Sequence, residues 1–345
     1  MKNFHFNPVV NDDVNSIISK KLPWNKLSGT KILITGASGF IGSYLIRSLI
    51  SLNQKKKISK SLKILAITRN KKTAKKKFFD IYKNRNLKII EWDLNTYKIP
   101  KFKKIDYIFH CASLTSSKYH STDPLGTLLP NTLGTLNLLK LVEKYSPKIK
   151  GFLFLSSGLV LNSTKKRLNI FDTSIYAESK RLGEIIIKHW YDKNKFPVYV
   201  ARLFHTYGPC LKLNDGRLIT DLVWSVIRKK QFKIKQNLNN KKNFCYVTDA
   251  IIAIFTILLK GGKGSTYNIA NSKSHISISK LIYIINKTYP EFKIKNNFNN
   301  NIIKQKLPNI NQLYELGWKP EVSIKKGLNR MIKSYFFDKI NIENI

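Results

Sequence analysis

The 345-residue chain is poor in cysteine, in acidic residues and above all in arginine. Its three cysteines, Cys111, Cys210 and Cys245, are odd in number and widely spaced, and no Cys-x-x-Cys occurs. That excludes a disulfide-built scaffold and a cysteine-based structural zinc site. It fits a reducing compartment, so a cytoplasmic protein without a metal is expected. No apolar run approaches the roughly 18 residues a membrane helix needs, so no membrane span is expected. The longest apolar stretch, Ala250 to Leu259, reads as a buried helix. The opening residues Met1 to Pro8 lack the apolar core of a signal peptide.

Only 20 Asp and Glu stand against 62 Lys and Arg, a net charge of +42. Such a balance suggests nucleic acid or an anionic surface as partner. Yet only nine of the basic residues are arginine, the side chain whose bidentate fork suits base and phosphate recognition. The 53 lysines are scattered among Asn and Ile rather than gathered in one basic element. A compositional bias explains them without a partner, and neither nucleic acid nor membrane is expected. A non-catalytic basic-surface or nucleic-acid binder is the alternative from another class. The densest runs, Lys55 to Lys57 and Lys71 to Lys77, read as solvated loops, with a cofactor phosphate near Lys71 or Lys72 left open.

What is present is ample apolar material, 43% of residues with 12% aromatic, enough for a packed core. Residues 1–28 read as a polar extension with a short helix from Val14 to Leu22, stopped by Pro23. Short apolar runs at Lys31 to Thr35, Leu62 to Thr68, Leu87 to Glu91, Tyr107 to His110, Phe152 to Ser156 and Val198 to Arg202 read as strands. Helical spacing separates several of them, at Tyr44 to Leu52, Thr132 to Lys144 and Tyr176 to Trp190. Strands alternating with helices predict an α/β fold with a doubly wound parallel sheet over residues 29–205. After residue 205 the pattern is less regular, with a helix expected from Val223 to Lys230 and a last helix from Ile324 to Phe336. Residues 206–345 are read mainly as a smaller α/β C-terminal lobe that binds substrate. A segment near 240–270 is expected to return to the larger domain.

Between the first strand and its helix lies Gly36-Ala37-Ser38-Gly39-Phe40-Ile41-Gly42. Glycines at this spacing let the backbone turn tightly and approach a pyrophosphate seated on the helix N-terminus. The turn residues Gly36, Ser38, Gly39, Phe40, Ile41 and Gly42 are therefore candidate dinucleotide ligands. An acid ending the second strand would hold the ribose 2′-hydroxyl of NAD. This chain has Arg69 there, which suits a 2′-phosphate, so both NAD and NADP stay open. Asp93, after the third strand, is placed to accept from the adenine amino group or to cap the strand end. Cys111 and Ala112, after the fourth strand, are small enough to let a dinucleotide cross closely. His110 reads as structural rather than as a proton donor.

Tyr176 and Lys180 stand four residues apart on one helix face. A lysine cation there favours the phenolate of the tyrosine, which can then take or give a proton near neutral pH.

With these residues on the page, the chain resembles the extended short-chain dehydrogenase/reductase family, in its nucleotide-sugar epimerase, dehydratase and decarboxylase branch. The resemblance rests on Thr35 to Gly42, Asp93, His110 to Ser113, Ser156-Ser157, Tyr176-x-x-x-Lys180, Arg202 to Pro209 and Phe244 to Asp249, in that order along residues 30–335. It implies a Rossmann domain, a nicotinamide cofactor, a nucleotide-diphosphate sugar as substrate and a homodimer. It implies Tyr176 as general base, Lys180 as ribose ligand and modulator of the tyrosine, and Ser157 as the hydroxyl polarising the substrate oxygen. His205, Arg217 and Lys242 then become candidate contacts to the substrate diphosphate. Lys242 stands where relatives usually carry arginine, and keeps the charge without the bidentate geometry. Dehydratases and decarboxylases of this branch carry an acid beside the Ser/Thr, where this chain has Gly158-Leu159. Leucine cannot transfer a proton, so an epimerase or ketoreductase is expected. The alternative is a UDP-glucuronate decarboxylase, which the C-terminal half resembles, or an NDP-sugar 4,6-dehydratase.

Overall fold

The structure is a computed structural model, and it describes residues 7–96, 98–161, 174–234, 236–296 and 307–343. In chain order the first half comprises α1 (Pro8–Ile18), β1 (Lys31–Thr35), α2 (Phe40–Gln54), β2 (Lys63–Thr68), α3 (Lys71–Lys77), β3 (Leu87–Glu91), β4 (Tyr107–His110), α4 (Ser117–Thr122), α5 (Pro124–Leu128), α6 (Leu133–Tyr145), β5 (Gly151–Ser157), α7 (Ile175–Asn194) and β6 (Val198–Leu203). There follow β7 (Thr206–Tyr207), α8 (Leu218–Ile227), β8 (Phe232–Ile234), β9 (Lys241–Asn243), β10 (Cys245–Tyr246), α9 (Val247–Lys260), β11 (Thr266–Ile269), β12 (His275–Ser277), α10 (Ile278–Thr288), β13 (Ile294–Asn296), α11 (Asn311–Glu315) and α12 (Ile324–Glu343).

Seven strands form one sheet in the order β11-β6-β5-β4-β1-β2-β3, and every neighbouring pair is parallel. This is the doubly wound α/β architecture, reversing direction between β1 and β4. The central strands are buried throughout, β4 as Tyr-Ile-Phe-His and β5 along all its length, as a sheet covered on both faces requires. The seventh strand comes from far along the chain: β11 pairs with β6 through Thr266↔Val200 to Ile269↔Leu203. Helix α9 leads into it, with Val247 to Leu259 entirely buried against the sheet.

The first helix is displaced from its expected place. It begins at Pro8, capped by Asn7 accepting from the Val9 and Val10 amides, and ends at Ile18. Proline suits the first turn because its missing N–H would be unpaired there anyway. The helix is no solvated lead-in. Val10, Val14, Ile17 and Ile18 join the main core, and Asp13, 1% exposed, sits beneath it. Asp13 accepts from Tyr44 Oη at 2.8 Å, Tyr246 Oη at 2.9 Å and Arg330 Nε at 2.9 Å. One carboxylate thereby joins α1, α2, α12 and the β10–α9 junction. Helix α8 also starts earlier than expected, at Leu218, and the last helix runs on to Glu343.

Candidate active site

The Gly-rich turn links β1 to α2. Gly36 has φ +59°, and a Cβ there would lie 2.8 Å from the Ala112 backbone, so the turn is pressed against the residues after β4. A Cβ on Gly42 would lie 2.4 Å from the Gly36 carbonyl. Both contacts are with backbone, which cannot yield, and glycine alone fits. Gly39 caps the 15-residue α2 in an extended conformation, leaving the first amides of that helix facing the groove above the sheet.

Two cavities adjoin this turn and share Gly36, Ser38, Gly39 and Cys111. The smaller, about 350 Å³, runs past Arg69, Asp93 and Ala112. Arg69 is exposed at the end of β2. Asp93 also accepts from the Asn95 amide at 3.0 Å, so it caps a turn as well as lining the cavity. The larger, about 420 Å³, is lined by Phe40, Ile41 and Gly42 on one side and Ser157, Tyr176 and Lys180 on the other. His205 and Arg217 close its outer wall. The structure thus gathers all but one of the expected site residues into one groove. Lys242 is the exception: it lies on β9, paired with β12, and lines neither cavity.

Ser157 ends β5, and its hydroxyl, near enough to the Tyr176 phenol to pull its value down, accepts from the Leu159 amide at 3.2 Å. Tyr176 is 7% exposed, and burial holds its phenol above the usual value against the opposing pull of Ser157 and of the Arg217 charge. The expected depression by Lys180 is not what the structure holds. Lys180 Nζ donates to the Leu155 carbonyl at 2.6 Å and lies 4.8 Å from the centre of the Phe154 ring. With 2% exposure, desolvation pushes its ammonium down to about 7, against the Cys111 and Glu184 charges that favour it. Spacing on a helix face places the pair, but burial decides which protonation states they favour.

His110 is fully buried. Its Nε2 faces the Pro130 carbonyl at 3.1 Å, which can only accept, so Nε2 carries the proton and Nδ1 accepts from Thr35 Oγ1 at 2.8 Å. Burial, then the Lys180 charge, pushes it down to about 3. It is a neutral structural group. Thr35 Oγ1 in turn accepts from the Cys111 and Ala112 amides, both at 3.1 Å, which fixes the floor of the groove.

Three neighbours were not among the expected site residues. His120 on α4 stacks on the Tyr176 ring at 4.8 Å with planes 8° apart. Asp215, 4% exposed, engages Arg217 and accepts from Thr220 Oγ1 at 2.7 Å. Lys77, at the end of α3, lines the larger cavity and donates to the Ser38 carbonyl at 2.8 Å.

The profile of the NAD dependent epimerase/dehydratase family matches residues 32–270, well over half of the chain. The chain belongs to that family. It is a family of NAD-dependent enzymes. Among curated relatives, UDP-glucuronic acid decarboxylase 6 of Arabidopsis thaliana is 28% identical over 324 residues, covering 89% of each chain. Among solved structures, UDP-glucuronic acid 4-epimerase from Bacillus cereus, crystallised with UDP-glucuronic acid and NAD, has a TM-score of 0.74 at 21% identity, covering 89% of this chain and 99% of that one. The dTDP-glucose 4,6-dehydratase from Bacillus anthracis, crystallised with NAD, has a TM-score of 0.71 at 21% identity, covering 90% and 98%. At that identity the two structures speak to the fold, and they agree with the doubly wound sheet. Among the described residues no cluster of His, Cys, Asp and Glu can hold a metal, and no helix is long and apolar enough to cross a membrane.

Proposed function

We propose that this member of the family oxidises a hydroxyl of a nucleotide-diphosphate sugar and re-reduces the product, as an epimerase, or works in one direction as a ketoreductase. One observation carries this. Ser157, Tyr176 and Lys180 line one cavity, while Asp215, a carboxylate lining that cavity, is already engaged by Arg217 and Thr220. Leu159 lines the cavity where an acid would serve a dehydratase. The groove is suited to NAD: a turn with no room for a Cβ, a helix N-terminus and a small-residue floor. Gly36, Ser38 to Gly42, Cys111, Ala112 and Lys180 would hold it, with Arg69 and Asp93 at the adenosine end.

A dinucleotide held there would supply the hydride acceptor. Tyr176 accepts the hydroxyl proton, helped by a phenolate that Ser157 hydrogen-bonds and Arg217 attracts. Ser157 donates toward the substrate oxygen as charge builds there. Lys180, its ammonium pushed down by burial, adds charge to the site when ionised. His205 and Arg217 face the substrate diphosphate. In this reading residues 29–205 with the 240–270 segment form the cofactor part, and the rest of 206–345 the substrate lobe. Homodimerisation is proposed through α7, whose Leu182 and Ile185 are 44% and 45% exposed.

The decarboxylase relatives favour a second reading. Oxidation beside a carboxylate-bearing carbon makes a β-keto acid, which loses carbon dioxide without help from an acid at position 159. Mass spectrometry of the released cofactor and product analysis on UDP-, dTDP-, GDP- and CDP-sugars separate the two. An epimerised or reduced sugar supports the first. Carbon dioxide from UDP-glucuronate establishes the second, and no turnover on any sugar overturns both.

A further inference from the structure

We infer that Lys77 is a ligand of the cofactor pyrophosphate, and that this chain holds its dinucleotide by charge from α3 in place of the ribose-binding acid it lacks. The inference rests on the reading of the groove as the dinucleotide site. Helix α3 is a run of five lysines broken by Thr73 and Ala74, and four of the five are exposed. Lys77 alone turns inward. Its Nζ reaches the Ser38 carbonyl at 2.8 Å, inside the Gly-rich turn, and the side chain lines the larger cavity beside Phe40 and Ile41. Lys71 and Lys72, the lysines the sequence put nearest a phosphate, line neither cavity.

Lys77 is a half-buried cation that donates to a neutral carbonyl. The neighbouring carboxylate, Asp80, is gripped by both terminal nitrogens of Arg47, at 2.5 and 3.0 Å. Among the described residues no carboxylate forms an ion pair with Lys77. A cation held over the N-terminus of α2 without a counter-charge matches a dianionic pyrophosphate resting there. At the other end of the groove the ribose position carries exposed Arg69, so no carboxylate at that position holds the 2′-hydroxyl. Recognition shifts from ribose hydroxyls to phosphate charge.

The test compares wild type, Lys77→Met and Lys77→Arg, each purified, dialysed free of nucleotide and checked for fold by circular dichroism. ADP-ribose binding is measured by calorimetry and adenosine binding by ligand-observed NMR. Loss of one charge-assisted contact weakens ADP-ribose by about tenfold to a hundredfold. Lys77→Arg retains most of the affinity, and adenosine is unaffected. Unchanged ADP-ribose affinity in Lys77→Met, or a matching loss for adenosine, overturns the inference. Failure of the wild type to bind ADP-ribose would instead overturn the reading of the groove itself, and this inference with it.

Discussion

Replacing Lys180 with methionine should remove activity and strengthen the fold, and the size of the gain follows from burial. The ammonium is 2% exposed and is pushed from 10.5 to about 7. A shift of one pH unit corresponds to about 1.36 kcal/mol, so holding this lysine in the fold costs on the order of 4 kcal/mol at neutral pH. Methionine keeps the chain's length and its packing against Phe154, but strands the Leu155 carbonyl, a loss of roughly 1–2 kcal/mol. A net gain of about 2–3 kcal/mol is expected in urea unfolding of the cofactor-free protein at pH 7. The sign of the pH dependence follows from the same shift. The folded value lies below the unfolded one, so the unfolded state holds more protons between about pH 7 and 10.5. The lysine's cost is therefore full below pH 7 and fades as pH rises toward 10.5, and the gap between wild type and variant narrows over that window. A Lys180→Met protein no more stable than wild type at pH 7, or a gap that widens with pH, would refute the argument.

Tyr176→Phe should fold normally and lose about 10²–10⁴-fold in kcat on whichever sugar proves to be substrate, as measured by single-turnover hydride transfer. Intact turnover would remove the tyrosine from its assigned role. Gly42→Ala must push a methyl into the Gly36 carbonyl at 2.4 Å. A stability loss of about 1–3 kcal/mol, with weakened ADP-ribose binding, is expected from calorimetry. Asp13→Ala removes the acceptor shared by Arg330 and two tyrosine hydroxyls, which should cost about 3–5 kcal/mol in urea unfolding. Burial also raises the Asp13 carboxyl above its usual value, so the ion pair itself contributes little net stability at neutral pH. The Asp13→Leu/Arg330→Met double variant should accordingly recover much of that loss.

Short buried strands were the most legible part of the fold. Strands β3 and β4 match their expected bounds because each is a short, mostly apolar run opened by a polar residue, Asn86 and Asp106. The first helix was misplaced because Asn7-Pro8, a cap followed by a favoured first-turn proline, opens it earlier than its apolar spacing suggests. The groove was legible where the backbone itself makes the site, at Gly36, Gly39 and Gly42. It was illegible where one member of a uniform run turns inward, as Lys77 does among five lysines. The raised Tyr176 phenol escaped for a different reason. Helical spacing reports which side chains share a face, while desolvation depends on everything packed around them.

The position of β11 bears on how the chain reaches this structure. The β6 edge stays open until Thr266 to Ile269 are available to pair with it, and the segment between them carries β7, α8 and much of the outer wall of the larger cavity. The sheet therefore closes around an interruption, with a loop of roughly sixty residues fixed at both ends by one strand pairing. Closing so long a loop is entropically costly before its contacts form. During synthesis the ribosome delivers β6 well before its edge partner, and for that interval the Val198–Leu203 strand offers unpaired backbone to other chains. Folding yield in this protein should therefore be governed by the arrival of β11, a strand that contributes no expected site residue.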